Sequence, residues 1–183
     1  MQDNTNMQYD AAVENCREIF IKKALDYGIS WRVYRIISVA DQIFIKAKRI
    51  RTIQEKGIQR ISDDLLDEFK GILNYAIIGL IQLEFTNEDQ ELPIKTVESL
   101  YNSKISAAKK LMQDKNHDYG EAWRDMSQES FADLILAKIL RIKQIIRNDG
   151  KTLMSEGIDA NLFDIINYSV FALILAGEKK QLS

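Results

Sequence analysis

The sequence predicts an all-α fold of about six helices, formed as two tandem three-helix repeats packed in a pseudo-twofold helical bundle. Three observations carry this expectation. Apolar residues recur at steps of three and four rather than alternating. One proline and eight glycines in 183 residues leave few interruptions, and several of those glycines fall where a periodic segment stops. The third observation is a duplication. Asp26-Tyr27-Gly28-Ile29-Ser30-Trp31-Arg32 returns ninety-two residues later as Asp118-Tyr119-Gly120-Glu121-Ala122-Trp123-Arg124. From Asp26 to Ile53, 13 of 28 aligned positions are identical, against roughly one or two expected from ordinary composition. After one inserted residue the offset becomes ninety-three, and Asn74-Tyr75 falls on Asn167-Tyr168. The repeats are expected over residues 1–88 and 89–183, sharing one core.

The first helix is expected from Tyr9 to Asp26, stopping at Gly28, a residue that tolerates the left-handed C-terminal cap. The second begins near Trp31 or Ser38, buries Ile36, Ile37, Ile43, Phe44, Ala47, Ile50 and Ile53, and ends before Gly57. The third starts around Ser62, with Asp63 and Asp64 in a first turn where acids complement the helix dipole, and runs to Glu84. A polar, acidic junction, Thr86 to Glu91, leads to Pro93, which suits the first turn of the next helix. The fourth helix repeats the first and ends at Gly120. The fifth starts at an N-cap, Ser127 or Ser130, and stops by Gly150, with Phe131, Leu134, Ile135, Ile139, Ile142 and Ile145 inside. The sixth spans Asp159 to Gly177. Both third helices are apolar nearly all round, which places them centrally among the others.

Composition narrows the function. A chain 46% hydrophobic and 28% charged is that of a folded globular protein. Its net charge of -2, with both signs interspersed, provides no basic face for a phosphate backbone, so duplex nucleic acid is disfavoured as a partner. Cys16 is the single cysteine and aligns with Ala108, which excludes an internal disulfide and a thiolate metal site. The opening residues have neither a basic nor an apolar export region, and the longest uninterrupted apolar runs fall short of a bilayer span, so a cytoplasmic protein without a membrane partner is expected. His117 aligns with Leu25 and reads as an exposed residue rather than a catalytic base.

Several repeated residues are candidates for a site. Asp26 and Asp118 sit at a helix C-terminus, where the dipole disfavours a carboxylate by roughly 0.3–1 kcal/mol. Either they pair with Arg32 and Arg124, with Tyr27, Tyr119, Trp31 and Trp123 packing round the corner, or these aspartates and aromatics wall a bound base or cationic ligand. Asp41, Lys46 and Arg49, like Asp133, Lys138 and Arg141, fall within an arc of roughly 140° on one helix, from which adjacent cations can clamp a phosphate. The alternative is a solvated stripe with the lysines lying along the core. Asn74 and Asn167 place amides amid apolar helices, for an interhelical hydrogen bond or a ligand contact. The second copy holds more acid: Glu129 and Asp133 lie four apart, and Glu156, Asp159 and Asp164 lie at or near the start of the last helix. Glu129, Asp133, Glu156 and Asp164 are candidates to hold Mg²⁺, with Glu129, Asp133 and Asp164 as the catalytic acids. Ordinary surface acids at helix starts are the alternative.

The motif K-x-x-D-Y-G-x-x-W, present as Lys23 to Trp31 and Lys115 to Trp123, is followed in both copies by K-x-x-R-I and an apolar helix bearing Asn-Tyr. With these features the chain resembles the nucleotide modification associated domain 1 family, once per copy. The resemblance implies a helical domain linked by context to nucleotide or nucleic-acid base modification, with a nucleotide or nucleotide-like small molecule as the expected partner. A second, more distant likeness is to the MazG-like all-α nucleoside triphosphate pyrophosphatases, whose acidic helices bind Mg²⁺ and cleave between the α and β phosphates. Glu156 and Asp159 have one of the spacings of that group, whereas Glu129 and Asp133 are four apart rather than three. Two functions follow: a nucleotide-handling domain, a Mg²⁺-dependent pyrophosphohydrolase in its sharpest form, or a non-enzymatic helical interaction module. A homodimer is compatible with either.

Overall fold

In a computed structural model the protein is described over residues 2–57, 65–87, 89–153 and 156–182. The described helices are α1 (Gln2–Tyr27), α2 (Ile36–Lys56), α3 (Leu65–Glu84), α4 (Ile94–Tyr119), α5 (Gln128–Arg147) and α6 (Ile158–Leu182), and among the described residues there is no strand. The expected start of the third helix at Ser62, with Asp63 and Asp64, lies outside the described residues, as does Glu88 at the junction. The first helix begins seven residues earlier than its apolar period shows, because the polar segment at Gln2–Gln8 packs as a further turn and more: Thr5 is 1% exposed. Between α1 and α2 the chain makes a 3₁₀ turn, Ser30–Val33, matched by Ala122–Asp125 between α4 and α5. Both corners open on a glycine with positive φ, 74° at Gly28 and 66° at Gly120, where an L side chain is strained.

The helices form three layers, each with one helix from each copy. The central pair is α3 against α6. One outer layer is α2 with α5, where α2 lies on α3 and α5 on α6; the other is α1 with α4, each touching both central helices. The expected central position of the third helices is observed: Ile72, Leu73, Ala76, Ile77 and Ile81, like Ile165, Ile166 and Val170, are completely buried. Each such isoleucine or leucine contributes about 1.5–3 kcal/mol relative to an exposed one. The same position accounts for the stretch Ile158–Glu178 being apolar enough to cross a bilayer by composition, since most of it is buried in the bundle. In α2 the inward face is Val39, Ala40, Ile43, Ala47 and Ile50. Ile37 is 36% exposed, a correction to its expected burial, because α2 starts at Ile36 and its first turn reaches past the core.

Two sets of polar contacts obey the twofold relation. Tyr101 Oη of α4 donates to Asn74 Oδ1 at 2.9 Å, while Asn74 Nδ2 donates to the Cys16 carbonyl at 3.0 Å. The mates agree closely: Tyr9 Oη donates to Asn167 Oδ1 at 2.8 Å, and Asn167 Nδ2 donates to the Ala108 carbonyl at 3.0 Å. Each central amide thus joins its own copy's first helix to a tyrosine of the other copy, and burial raises both phenols well above their ordinary pKa. At the α2–α5 layer, Lys143 Nζ lies 2.5 Å from Asp41 and Arg51 Nη1 3.6 Å from Asp133, again a twofold pair. Asp41 and Asp133 therefore face the other copy and do not share a working face with Lys46, Arg49 and Lys138, which turn toward the third helix of their own copy.

Candidate functional site

The repeated corner forms one wall of a pocket in each copy, closed by the third helix opposite. In the first copy Lys23, Tyr27, Gly28, Ser30 and Trp31 face Gly71, Asn74, Tyr75 and Ile78 across a cavity of about 470 Å³. In the second copy the aligned Lys115, Tyr119, Gly120, Ala122 and Trp123 face Asp164, Asn167, Tyr168 and Phe171, and the space is only about 130 Å³. The first volume is within the range of small-molecule sites, about 300–1,000 Å³, and the second is below it.

Two substitutions account for much of the difference. Asp164 stands where the first copy has Gly71, and its carboxylate fills the space between two lysines: Lys115 Nζ is 2.7 Å from Oδ1 and Lys138 Nζ 2.6 Å from Oδ2. Burial raises the Asp164 carboxyl, but the two lysine hydrogen bonds outweigh it and hold the group below the usual carboxylate range. Phe171 stands where the first copy has Ile78, and its ring stacks on Trp123 at 4.2 Å and 6°. In the first copy Trp31 has no stacked ring among the described residues; Phe20 leans against it at 6.2 Å, tilted by 40°.

Without Asp164's equivalent, the first-copy lysines are arranged differently. Lys46, the mate of Lys138, reaches Glu68 at 3.2 Å, and Arg49 reaches the same carboxylate at 2.5 Å. Lys46 lies over Gly71 so closely that a Cβ there would meet its Cε at 2.9 Å and its Nζ at 3.2 Å. Lys23, the mate of Lys115, is exposed at the cavity and has no ion-pair partner among the described residues. Lys70 pairs with Asp67 at 2.9 Å, and both line the same space. Tyr27, Tyr34 and Tyr75 cluster on its wall. Burial raises the Tyr75 phenol above its ordinary pKa, and the neighbouring Tyr34 and Tyr27 phenols add to the effect.

The structure therefore brings together Tyr27, Trp31, Lys23 and Lys46 in one copy, and Tyr119, Trp123, Asn167 and Asp164 in the other. Other expected members lie elsewhere. Asp26 is exposed without an ion-pair partner among the described residues, and Asp118 meets His117 at 3.2 Å with both side chains in solvent. Water thus offsets the dipole penalty. Pairing of these aspartates with Arg32 and Arg124 is not what the structure has. Arg32 donates to the carbonyls of Phe85 at 3.0 Å and Asn87 at 2.6 Å, capping the end of α3, while Arg124 joins Glu121, Glu178, Thr5 and Gln8. Arg49 faces Glu68. Arg141 is exposed on a separate recess with Gln144, Asn148 and Lys151. Asn167 uses its carbonyl and one amide hydrogen on Tyr9 and Ala108.

The four acids considered for Mg²⁺ do not meet. Glu129 and Glu156 are exposed, Asp133 points to Arg51 across the copies, and Asp164 is held between two ammonium groups. Among the described residues no three of His, Cys, Asp and Glu come together to hold a metal ion. These four carboxylates do not form a donor set for a divalent cation. Lys70 and Tyr34 also line the cavity and stand outside the repeated motifs, so the sequence carries no signal for them, whereas Lys23, Tyr75 and the Gly71–Asp164 exchange are visible in the repeat.

The sequence matches the nucleotide modification associated domain 1 family twice, over residues 23–83 and 115–175, about two thirds of the chain. No curated protein and no solved structure matches it. The chain belongs to the nucleotide modification associated domain 1 family.

Proposed function

We propose, with that family membership as premise, that the protein is a nucleotide-handling domain whose working site is the cavity of the first copy. The observation that carries this reading is the cavity of about 470 Å³ that joins an aromatic wall, Tyr27, Trp31, Tyr34 and Tyr75, to Lys23, Lys46 and Lys70. Aromatic faces suit a planar base, and ammonium groups suit phosphate oxygens. Family membership supports a nucleotide over other flat anions. Binding rather than hydrolysis is the reading, because a pyrophosphohydrolase of the MazG pattern needs carboxylates that converge on Mg²⁺, and Glu129, Asp133, Glu156 and Asp164 are spread over separate surroundings.

The test is a panel of ribo- and deoxyribonucleotides, mono- through triphosphate, measured by thermal shift and calorimetry with and without Mg²⁺. At least one nucleotide is expected to bind with 1:1 stoichiometry and raise the melting temperature. No binding across the panel would overturn the reading in favour of an interaction module. Pyrophosphate release that requires Mg²⁺ would replace binding with hydrolysis.

A further inference from the structure

The two pockets are lined by aligned residues, and one of them is largely filled by the protein's own side chains. We infer that Asp164 and Phe171 occupy in the second copy the positions a ligand occupies in the first, so that the ligand's anionic group sits beside Gly71 between Lys23 and Lys46 and its planar ring lies on Trp31. This rests on the proposed nucleotide site and specifies how the ligand is oriented in it.

The anion position follows from the lysines. Lys115 and Lys138 grip the two oxygens of Asp164 at 2.7 and 2.6 Å. Their mates Lys23 and Lys46 line the first cavity around Gly71, which offers no side chain to grip. Lys46 Nζ already lies 3.2 Å from where a Gly71 Cβ would stand. It leans meanwhile on Glu68, which keeps Arg49 as a second partner when Lys46 turns to a ligand. Lys23 has no ion pair to give up among the described residues. The end of Lys46 now covers Gly71 and swings aside to admit the anion. Two ammonium groups lining one cavity favour an oxyanion, and of the oxyanions a phosphate best uses both.

The ring position follows from the stack. Phe171 covers a face of Trp123 at 4.2 Å. Ile78 is branched and not planar, and no ring stacks on Trp31 among the described residues. Trp31 is 8% exposed with Ile78 buried in the aligned place, so the ligand's ring reaches that face by moving Ile78 aside. Positions 71 and 78 are two turns apart on α3, a rise of roughly 10 Å. That is about the reach from a nucleobase to its outer phosphates. A ligand of this class is a flat heteroaromatic ring carrying a phosphate at that distance.

The experiment is Gly71→Asp, which gives the first copy the anchoring residue of the second. Wild type and variant are titrated by calorimetry with inorganic pyrophosphate and with the nucleotide panel, and melting temperatures are read in parallel. Pyrophosphate and nucleotide are expected to compete for one site on the wild type. Gly71→Asp is expected to lose at least ten-fold in affinity for both and still to fold, since the part of Lys46 that its Cβ would crowd at 2.9 Å is the flexible end of a side chain and its carboxylate offers that lysine a partner. Lys23→Met, at an exposed position that does not support the core, gives the same loss and serves if the first variant folds poorly. Nucleotide binding unchanged in folded Gly71→Asp and in Lys23→Met would overturn the anion position and leave the nucleotide reading standing. Pyrophosphate binding that both variants abolish, with no nucleotide bound by the wild type, would keep the anion position and reject the nucleotide. Absence of any anion binding by the wild type would overturn both.

Discussion

The cavity beside Trp31 encloses about 470 Å³ and its counterpart beside Trp123 about 130 Å³, although both are walled by the same lysine, tyrosine, glycine, tryptophan, asparagine and tyrosine. The frames that hold them are nearly identical, down to the Asn–Tyr and Asn–carbonyl hydrogen bonds, which match within 0.1 Å. Much of the difference lies in the exchange of Gly71 for Asp164 and of Ile78 for Phe171. A second copy that fills its pocket gains an ion-pair triad and an aromatic stack. The first copy, which leaves it open, lacks the stack and keeps its triad, Lys46 and Arg49 on Glu68, at the cavity wall. Filled and open space are thus divided between the halves of one frame.

Asp164 is the residue whose loss separates the two copies most. Its replacement by alanine leaves Lys138 facing a half-dry pocket without its anion, and urea denaturation is expected to show a loss of about 3 kcal/mol, toward the lower end for a broken buried pair because Lys115 stays largely in water. The same triad sets a pH dependence. The folded-state pKa of Asp164 lies below its unfolded value, so its contribution is present above the usual carboxylate range and is lost as pH falls through the depressed folded pKa. Wild type should therefore lose stability relative to Asp164→Ala on acidification below about pH 4. Convergence of the two curves at neutral pH instead would show that the triad contributes nothing.

Next in size are the two asparagines. Asn74→Ala and Asn167→Ala each strand a buried tyrosine hydroxyl and a backbone carbonyl, at about 2 kcal/mol apiece. Equal losses, within about 1 kcal/mol by equilibrium unfolding, would sharpen the contrast between a symmetric frame and asymmetric pockets; a large inequality would undo it. Phe171→Ile, which gives the second copy the residue of the first, should cost about 1–2 kcal/mol and widen the space beside Trp123 in a crystal structure. The smallest effect belongs to the outer layer. Asp41→Ala and Asp133→Ala remove half-exposed ion pairs and should each cost about 0.2–1 kcal/mol, less at high salt.

Much of the fold was legible because the duplication is written in matched residues and the helical period is strong. The six helices, the glycine corners and the central third helices follow from those alone. The polar start of α1 was not legible, since Thr5 and Gln8 are held by Arg124 and Glu178, partners more than a hundred residues away. The site was half legible. Its motif residues and the Gly71–Asp164 exchange could both be read, but the surplus acid in the second copy pointed to that copy, whereas the open cavity lies in the first. An added carboxylate looks like chemistry in a list of residues. In three dimensions Asp164 is already answered by Lys115 and Lys138, and it is the glycine opposite that leaves something undone.

The cross-copy tyrosines carry a consequence for how such a molecule can change over generations. Tyr101 completes the amide of Asn74 and Tyr9 that of Asn167, the bonding expected of two identical subunits exchanging one contact about an axis. Had the halves remained separate products of one coding sequence, every mutation would have struck both pockets together, and a carboxylate that locked one would have locked its twin. Joined in a single chain, the halves inherit independently. One was free to fill its pocket while the other kept its cavity open.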